Sequence, residues 1–206
     1  MRTLYLLILT ILPGIHLNAQ VTITLRDSLN DYVEPYDYDT LLKGGYTIYF
    51  KVDDELEYIY LKKGNKIITE LSSCSRGLPY KNLGYVVSDF RDHFVLAYSF
   101  GSGNAHHFEL IRKSTGKNII EVGAAWIDAV NDKQMLLYCI NDVPSSKDKM
   151  VLYNICTGHR EFFRFPGDIF NEPEVLNRIK IVRLSGKQLI IKYDTEKGTR
   201  KKIYNR

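Results

Sequence analysis

Histidines, thiols and acids are the groups in this chain that could hold a metal or catalyse, and spacing limits each of them. His106 and His107 are adjacent, so on a strand they point to opposite faces and cannot share one ion. His107 and Glu109 do share a face, but two ligands fall short of a zinc shell, and His93 and His159 stand at other strand ends. The glycine-rich runs "GSGNA" at 101–105 and "STGK" at 114–117 lack the following helix or the upstream glycine spacing of a phosphate loop, and read as hairpin turns. No serine lies in a Gly-x-Ser-x-Gly elbow. Cys74, in "LSSCSRGLPY", reads as a loop thiol whose pKa Arg76 would lower, yet a catalytic thiol also needs a histidine base that no local spacing supplies. No catalytic residue, metal or cofactor is therefore expected.

The richest stretch is "LNDYVEPYDYDT" at 29–40, where Asp31, Glu34, Asp37 and Asp39 interleave with Tyr32, Tyr36 and Tyr38. In extended chain Asp37 and Asp39 share one face and Tyr36 and Tyr38 the other. The oxygen count is short for calcium and the glycine of an EF-type loop is missing. A linker accounts for the stretch; so does a contact surface, because tyrosine offers a rigid apolar plane with a hydroxyl. Tyr32, Tyr36 and Tyr38 are the candidate contact residues for a protein or glycan partner. Asp89, Asp92, Asp128 and Asp132 recur near equivalent strand ends and are the acids an enzyme would use, although acids at such places more often solvate turns.

The elements that must position these groups follow from periodicity. "MRT", the apolar "LYLLILTILPGI" and "HLNA" have the charged, apolar and small-residue regions of a secretory signal, with cleavage expected after Ala19. The apolar run is shorter than the roughly 20 residues of a spanning helix, and no second one follows, so an exported chain without a membrane span is expected. Residues 20–206 are one domain's worth of chain. Without Arg2 they carry 27 basic against 24 acidic residues, too even a balance, and too dispersed outside the tail "KGTRKKIYNR", for a sequence-independent grip on nucleic acid.

Period two governs the rest. "YTIYFKV" at 46–52 and "EYIYLKK" at 57–63 are dense in β-branched and aromatic residues and read as strands. Twelve more such runs follow, among them 66–72, 84–90, 93–100, 106–113, 117–122, 133–140 and 149–156, separated by Gly, Asn, Asp or Pro turns. A single helical turn is expected after Pro173. Three cysteines, Cys74, Cys139 and Cys156, leave at least one thiol free. A hairpin centred near Ser145 sets Cys139 opposite Met150, against a Cys139–Cys156 bridge; a Cys74–Cys156 bridge stays open beside the reading of all three as small apolar residues.

"ELIRKSTGKNIIEVG" at 109–123 and "VLYNICTGHREFFRF" at 151–165 repeat at a shift of 42 residues, which sets Phe94 on Leu136, Val95 on Leu137, Leu96 on Tyr138, Leu110 on Leu152, Ile111 on Tyr153 and Ile120 on Phe162. Gly64, Gly116, Gly158 and Gly198 recur in the turn expected between third and fourth strands. Four short strands in about forty residues is the pattern of a propeller blade. These two segments resemble the outer hairpin of WD40-type propeller repeats, although no Trp-Asp dipeptide follows them. The resemblance implies an all-β fold of four-stranded antiparallel repeats, a propeller of about four blades closed by the N-terminal strand "VTITLRDS" at 21–28; an open meander or a sandwich is the alternative. The expected function is an exported, non-catalytic binding protein, including an inhibitor or immunity protein, with a secreted hydrolase or lyase using loop carboxylates as the alternative.

Overall fold

The computed structural model describes residues 39–101, 106–141, 145–169 and 175–206. The signal, the strand at 21–28 and Tyr32, Tyr36 and Tyr38 lie outside the described residues. What is described is all-β, in antiparallel sheets arranged as four successive meanders. The first is β1 (Thr40–Leu42), β2 (Tyr46–Val52), β3 (Leu56–Lys63) and β4 (Lys66–Ser75). After a short helix, α1 (Tyr80–Leu83), come β5 (Tyr85–Asp89), β6 (His93–Tyr98), β7 (His107–Arg112) and β8 (Lys117–Asn118). The third meander is β9 (Ala125–Val130), β10 (Met135–Cys139), β11 (Lys149–Asn154) and β12 (Arg160–Arg164). A 3-10 turn at Val175–Arg178 follows at the place expected for a helical turn and leads to β13 (Lys180–Leu184), β14 (Gln188–Thr195) and β15 (Gly198–Asn205). The second and third meanders form one sheet through a single bridge, His107 opposite Ala125.

Alternation along the strands makes three cores, each between consecutive meanders. Ile48, Ile59 and Leu61 of the first pack on Phe94, Leu96 and Ile111 of the second. Val95, Ala97 and Leu110, on the opposite face of the second, pack on Leu136, Tyr138 and Val151 of the third. Leu137, Met150 and Leu152 then pack on Leu184, Leu189 and Ile191 of the fourth. The middle strands are thus buried on both faces, which is why β10 and β11 read as nearly continuous apolar runs. Burying each of these large side chains contributes roughly 1.5–3 kcal/mol.

The 42-residue repeat has a physical meaning in this arrangement. Phe94, Leu96 and Ile111 face back toward the preceding meander, as do Leu136, Tyr138 and Tyr153; Val95 and Leu110 face onward, as do Leu137 and Leu152. Only Ile120 and Phe162 part company, one buried and the other 52 % exposed.

Polar ties repeat at each seam, most of them at the turns between first and second strands. Lys43 N–H donates to Asp89 Oδ2 at 2.8 Å. Ser88 Oγ donates to Asn131 Oδ1, and Arg91 N–H to Gln134 Oε1 at 3.1 Å. Lys133 Nζ donates to the Leu184 carbonyl, and Ile181 N–H to Asp128 Oδ2 at 2.7 Å.

Four details correct the sequence reading. The strand expected at 117–122 is two residues long, because Asn118 Oδ1 takes the amides of Leu110 and Ile120 at 3.1 and 3.0 Å and so replaces the ladder with a side chain. Gly64, Gly116 and Gly158 do stand between third and fourth strands with φ of 55°, 68° and 73°, whereas Gly198 opens the third strand of the last meander. All three cysteines are free, so no Cys74–Cys156 bridge forms; Cys139 does stand opposite Met150. Cys74 lies in β4 and not on a loop, and burial together with the Glu57 carboxylate pushes its thiol pKa up, opposite to the expected influence of Arg76.

Candidate binding site

Within each meander the connection between second and third strands and the exit to the next meander lie at one end, and the tight turns at the other. The described ends of the long connections, at 99–101 and 106, 140–141 and 145–148, and 165–169 and 175–179, therefore lie at one end of the stack. A row of aromatic side chains lines that end. Tyr80 opens α1, which Pro79 introduces, and its ring meets Tyr85 edge-on at 6.0 Å. The Tyr85 ring meets His106 at 6.0 Å, and its hydroxyl lies 2.5 Å from His106 Nδ1. Trp126 follows; its backbone N–H donates to the His106 carbonyl at 2.9 Å, and its ring packs at 6.1 Å on Phe108, which rests on Tyr138. To one side Phe100, 63 % exposed, leans on His107 at 6.1 Å.

Burial, with Tyr80 adding to it, pushes the Tyr85 phenol up to about 12. Near neutrality that phenol keeps its proton, and its hydroxyl shares one hydrogen bond with His106 Nδ1 whose direction the imidazole tautomer sets. The row therefore presents ring planes and edges, half-buried at Tyr80, Tyr85, His106 and Trp126. Such surfaces can stack on and hydrogen-bond a ligand.

Of the acids that an enzyme would use, Asp89, Asp92 and Asp128 have partners in the fold. Asp89 lies 2.7 Å from Lys113 Nζ, Asp92 pairs with Arg91 at 3.0 Å, and Asp128 accepts Ile181 N–H. Asp132 sits in the 3-10 turn before β10. Glu109 accepts the Tyr98 hydroxyl at 3.0 Å. Among the described residues no group of three His, Cys, Asp or Glu side chains is placed to hold a metal ion. A groove of about 550 Å³ runs between β9 and β13 at the tight-turn end, lined by Val130, Lys133, Ile181, Arg183 and Ser185, and no acid faces it.

The sequence singled out Tyr32, Tyr36 and Tyr38, which are outside the described residues, and missed Tyr80, Tyr85 and Trp126. A usable signal was present: the chain's one tryptophan and a Pro-Tyr pair both stand where a meander begins. Fold and site together define an all-β protein of antiparallel meanders with an aromatic loop end. Compared with protein-family models, with curated proteins and with solved structures, the chain matches none of them.

Proposed function

We propose that this is an exported, non-catalytic binding protein of propeller type, which holds a protein or glycan partner at its aromatic end. The single observation that carries the reading is the Tyr80–Tyr85–His106 row, joined by one side-chain hydrogen bond and edge-on ring contacts, with Trp126 beside it through the backbone pairing to His106. Tyr32, Tyr36 and Tyr38 extend the same chemistry along the segment that leads into β1. Export rests on the charged, apolar and small-residue regions of residues 1–19. The blade reading is supported by the three repeated seams and by the last meander, which among the described residues has three strands where the others have four. In this reading the segment 21–28 supplies the fourth, along the edge of β15 that has no partner strand among the described residues. Inhibition of an exported enzyme or toxin is the same physics with a particular protein partner.

The test is capture on the mature chain, residues 20–206, from envelope extract and on a glycan array. The expected result is a saturable ligand whose affinity falls at least tenfold, about 1.4 kcal/mol, in Tyr80→Ala and measurably in Tyr85→Phe, both folded as wild type. A ligand that ignores both variants removes the site. Turnover of a captured glycan or peptide overturns the non-catalytic reading in favour of a hydrolase or lyase.

A further inference from the structure

We propose that the fourth meander carries a second binding surface, separate from the aromatic end, and that its ligand is an acidic polysaccharide. Charge sets this meander apart. The whole chain holds 28 Lys and Arg against 24 acids, but residues 175–206 hold ten against two, leaving 18 against 22 for the other 174 residues. A sign split of this kind within one chain steers polyanions to its basic part. Of the two acids, Asp194 accepts the Thr199 hydroxyl at 2.5 Å, and Glu196 stands in the turn between β14 and β15.

Strand register arranges the cations in a line. Leu189, Ile191 and Tyr193 point into the core, so Lys192 points outward, and pairing sets Lys180 on one side of it and Lys201 on the other. Neighbouring strands lie about 4.8 Å apart, so the three lysines stem from a row about 10 Å long. All three are exposed, and none has an ion-pair partner among the described residues. Like charges directly opposite across strands cost stability, so the row is not there for the sake of the fold. In the next row stand Arg183, Ile190 and Ile203. Arg183 is also a wall of the groove of about 550 Å³ between β9 and β13, where Lys133 is the second cation and no acid faces inward. The cations thus form one track from the outer strand of the sheet to a groove at its inner edge.

The rest of the face selects among polyanions. Single-stranded nucleic acid is held by stacking its bases on aromatic rings, and this face has none, because Tyr193 and Tyr204 both lie on the core side. A lipid surface asks for apolar side chains that reach below the headgroups, whereas the exposed Val182 and Ile203 are short and stand level with the sheet. An acidic polysaccharide asks for neither. Its carboxylates or sulfates, carried at short intervals along the chain, meet a line of cations, and the C–H faces of its sugar rings rest on Ile190 and Ile203. The proposal shares with the reading above only the export expected from residues 1–19, which puts such polymers within reach.

The test is calorimetric titration of residues 20–206 with heparin and polygalacturonate oligomers, and with dextran as the neutral control. Wild type is expected to bind both acidic polymers and not dextran, with an affinity that falls steeply as salt rises. Lys192→Glu should weaken binding about tenfold or more while melting no lower than wild type, since it relieves the repulsion within the row. Lys117→Glu makes the same change of charge in an exposed turn of the second meander and should leave the affinity within about twofold. An equal loss in both variants would mean that net charge, and not this surface, does the binding, and the proposal would fall. It falls too if wild type ignores both acidic polymers, whether a second copy or the chain's own acidic segment at 31–39 then proves to occupy the face. Tighter capture of single-stranded DNA or of phosphatidylglycerol vesicles overturns the choice of polysaccharide. Tyr80→Ala keeps the two sites apart: it should leave heparin affinity unchanged, so that either surface can fail without the other, and a parallel loss would contradict a separate site.

Discussion

Lys113 is 1 % exposed, and its ammonium carries three protons toward four oxygens: the carbonyls of Phe90 at 2.8 Å, Lys43 at 3.0 Å and Arg91 at 3.2 Å, and Asp89 Oδ1 at 2.7 Å. One side chain thus ties the first meander to the second at the tight-turn end. Removing it strands a carboxylate and three carbonyls together, so Lys113→Met is expected to cost about 3 kcal/mol in urea unfolding. Lys113→Met with Asp89→Asn should cost clearly less than the two changes summed; a Lys113→Met loss under about 1 kcal/mol would contradict this role. None of this was legible in "IRKSTGK", where Lys113 reads as the last residue of the strand expected at 106–113, because the carbonyls it collects come from segments distant in sequence. Glu161 gives a second residue-scale test. Arg206 Nε donates to its two carboxylate oxygens at 2.9 and 3.2 Å, and that hydrogen bonding outweighs burial and holds the carboxyl below its ordinary value of 4.5. A lowered folded pKa means the pair stabilises fully above the unfolded value and loses that contribution as pH falls through the folded one. Arg206→Ala should therefore cost about 1 kcal/mol near neutral pH, and the gap to wild type should narrow below about pH 4.5. Urea midpoints that differ equally at neutral pH and near pH 3 would refute the linkage.

At the scale of elements, period-two runs of β-branched and aromatic residues located the strands well, since a side chain on a strand has only two faces to choose between. Tyr46–Val52 is β2 as read, and the Cys139–Met150 pairing follows from the turn between them. What misled was side-chain competition for the ladder: Asn118 ended β8 early, and no periodicity reports that. The aromatic site was half legible, because each ring is visible in sequence but the bridge that brings His106 beside Trp126 is not. The repeated turn glycines yield a prediction. Gly116 and Gly158 share a left-handed φ, so alanine strains both by about 1 kcal/mol. At Gly116 the added methyl would also overlap Thr69 Cγ2 on β4, whereas at Gly158 the nearest atom is Tyr153 Oη at 3.9 Å. Gly116→Ala should thus melt lower than Gly158→Ala by several degrees, about 2–4 °C for each further kcal/mol. Equal melting temperatures would mean that the first and second meanders do not meet at Thr69.

For the whole molecule, the 42-residue echo is a consequence of stacking: a meander buried between two others needs the same apolar positions on both faces as its neighbour. That also explains why the terminal meanders break the pattern, with tyrosines and lysines where the middle ones carry leucine and valine. Sequence reading found the four units but not their order of contact, since each core joins residues from two of them and leaves no local trace. The account stands most directly on two-sided burial of the third meander. Hydrogen exchange of residues 20–206, followed by mass spectrometry, should find Met135–Cys139 and Met150–Asn154 the slowest amides, opening only with global unfolding, while those of Thr40–Leu42 exchange far sooner. Exchange in β10 and β11 as fast as in β1 would contradict the stacked arrangement.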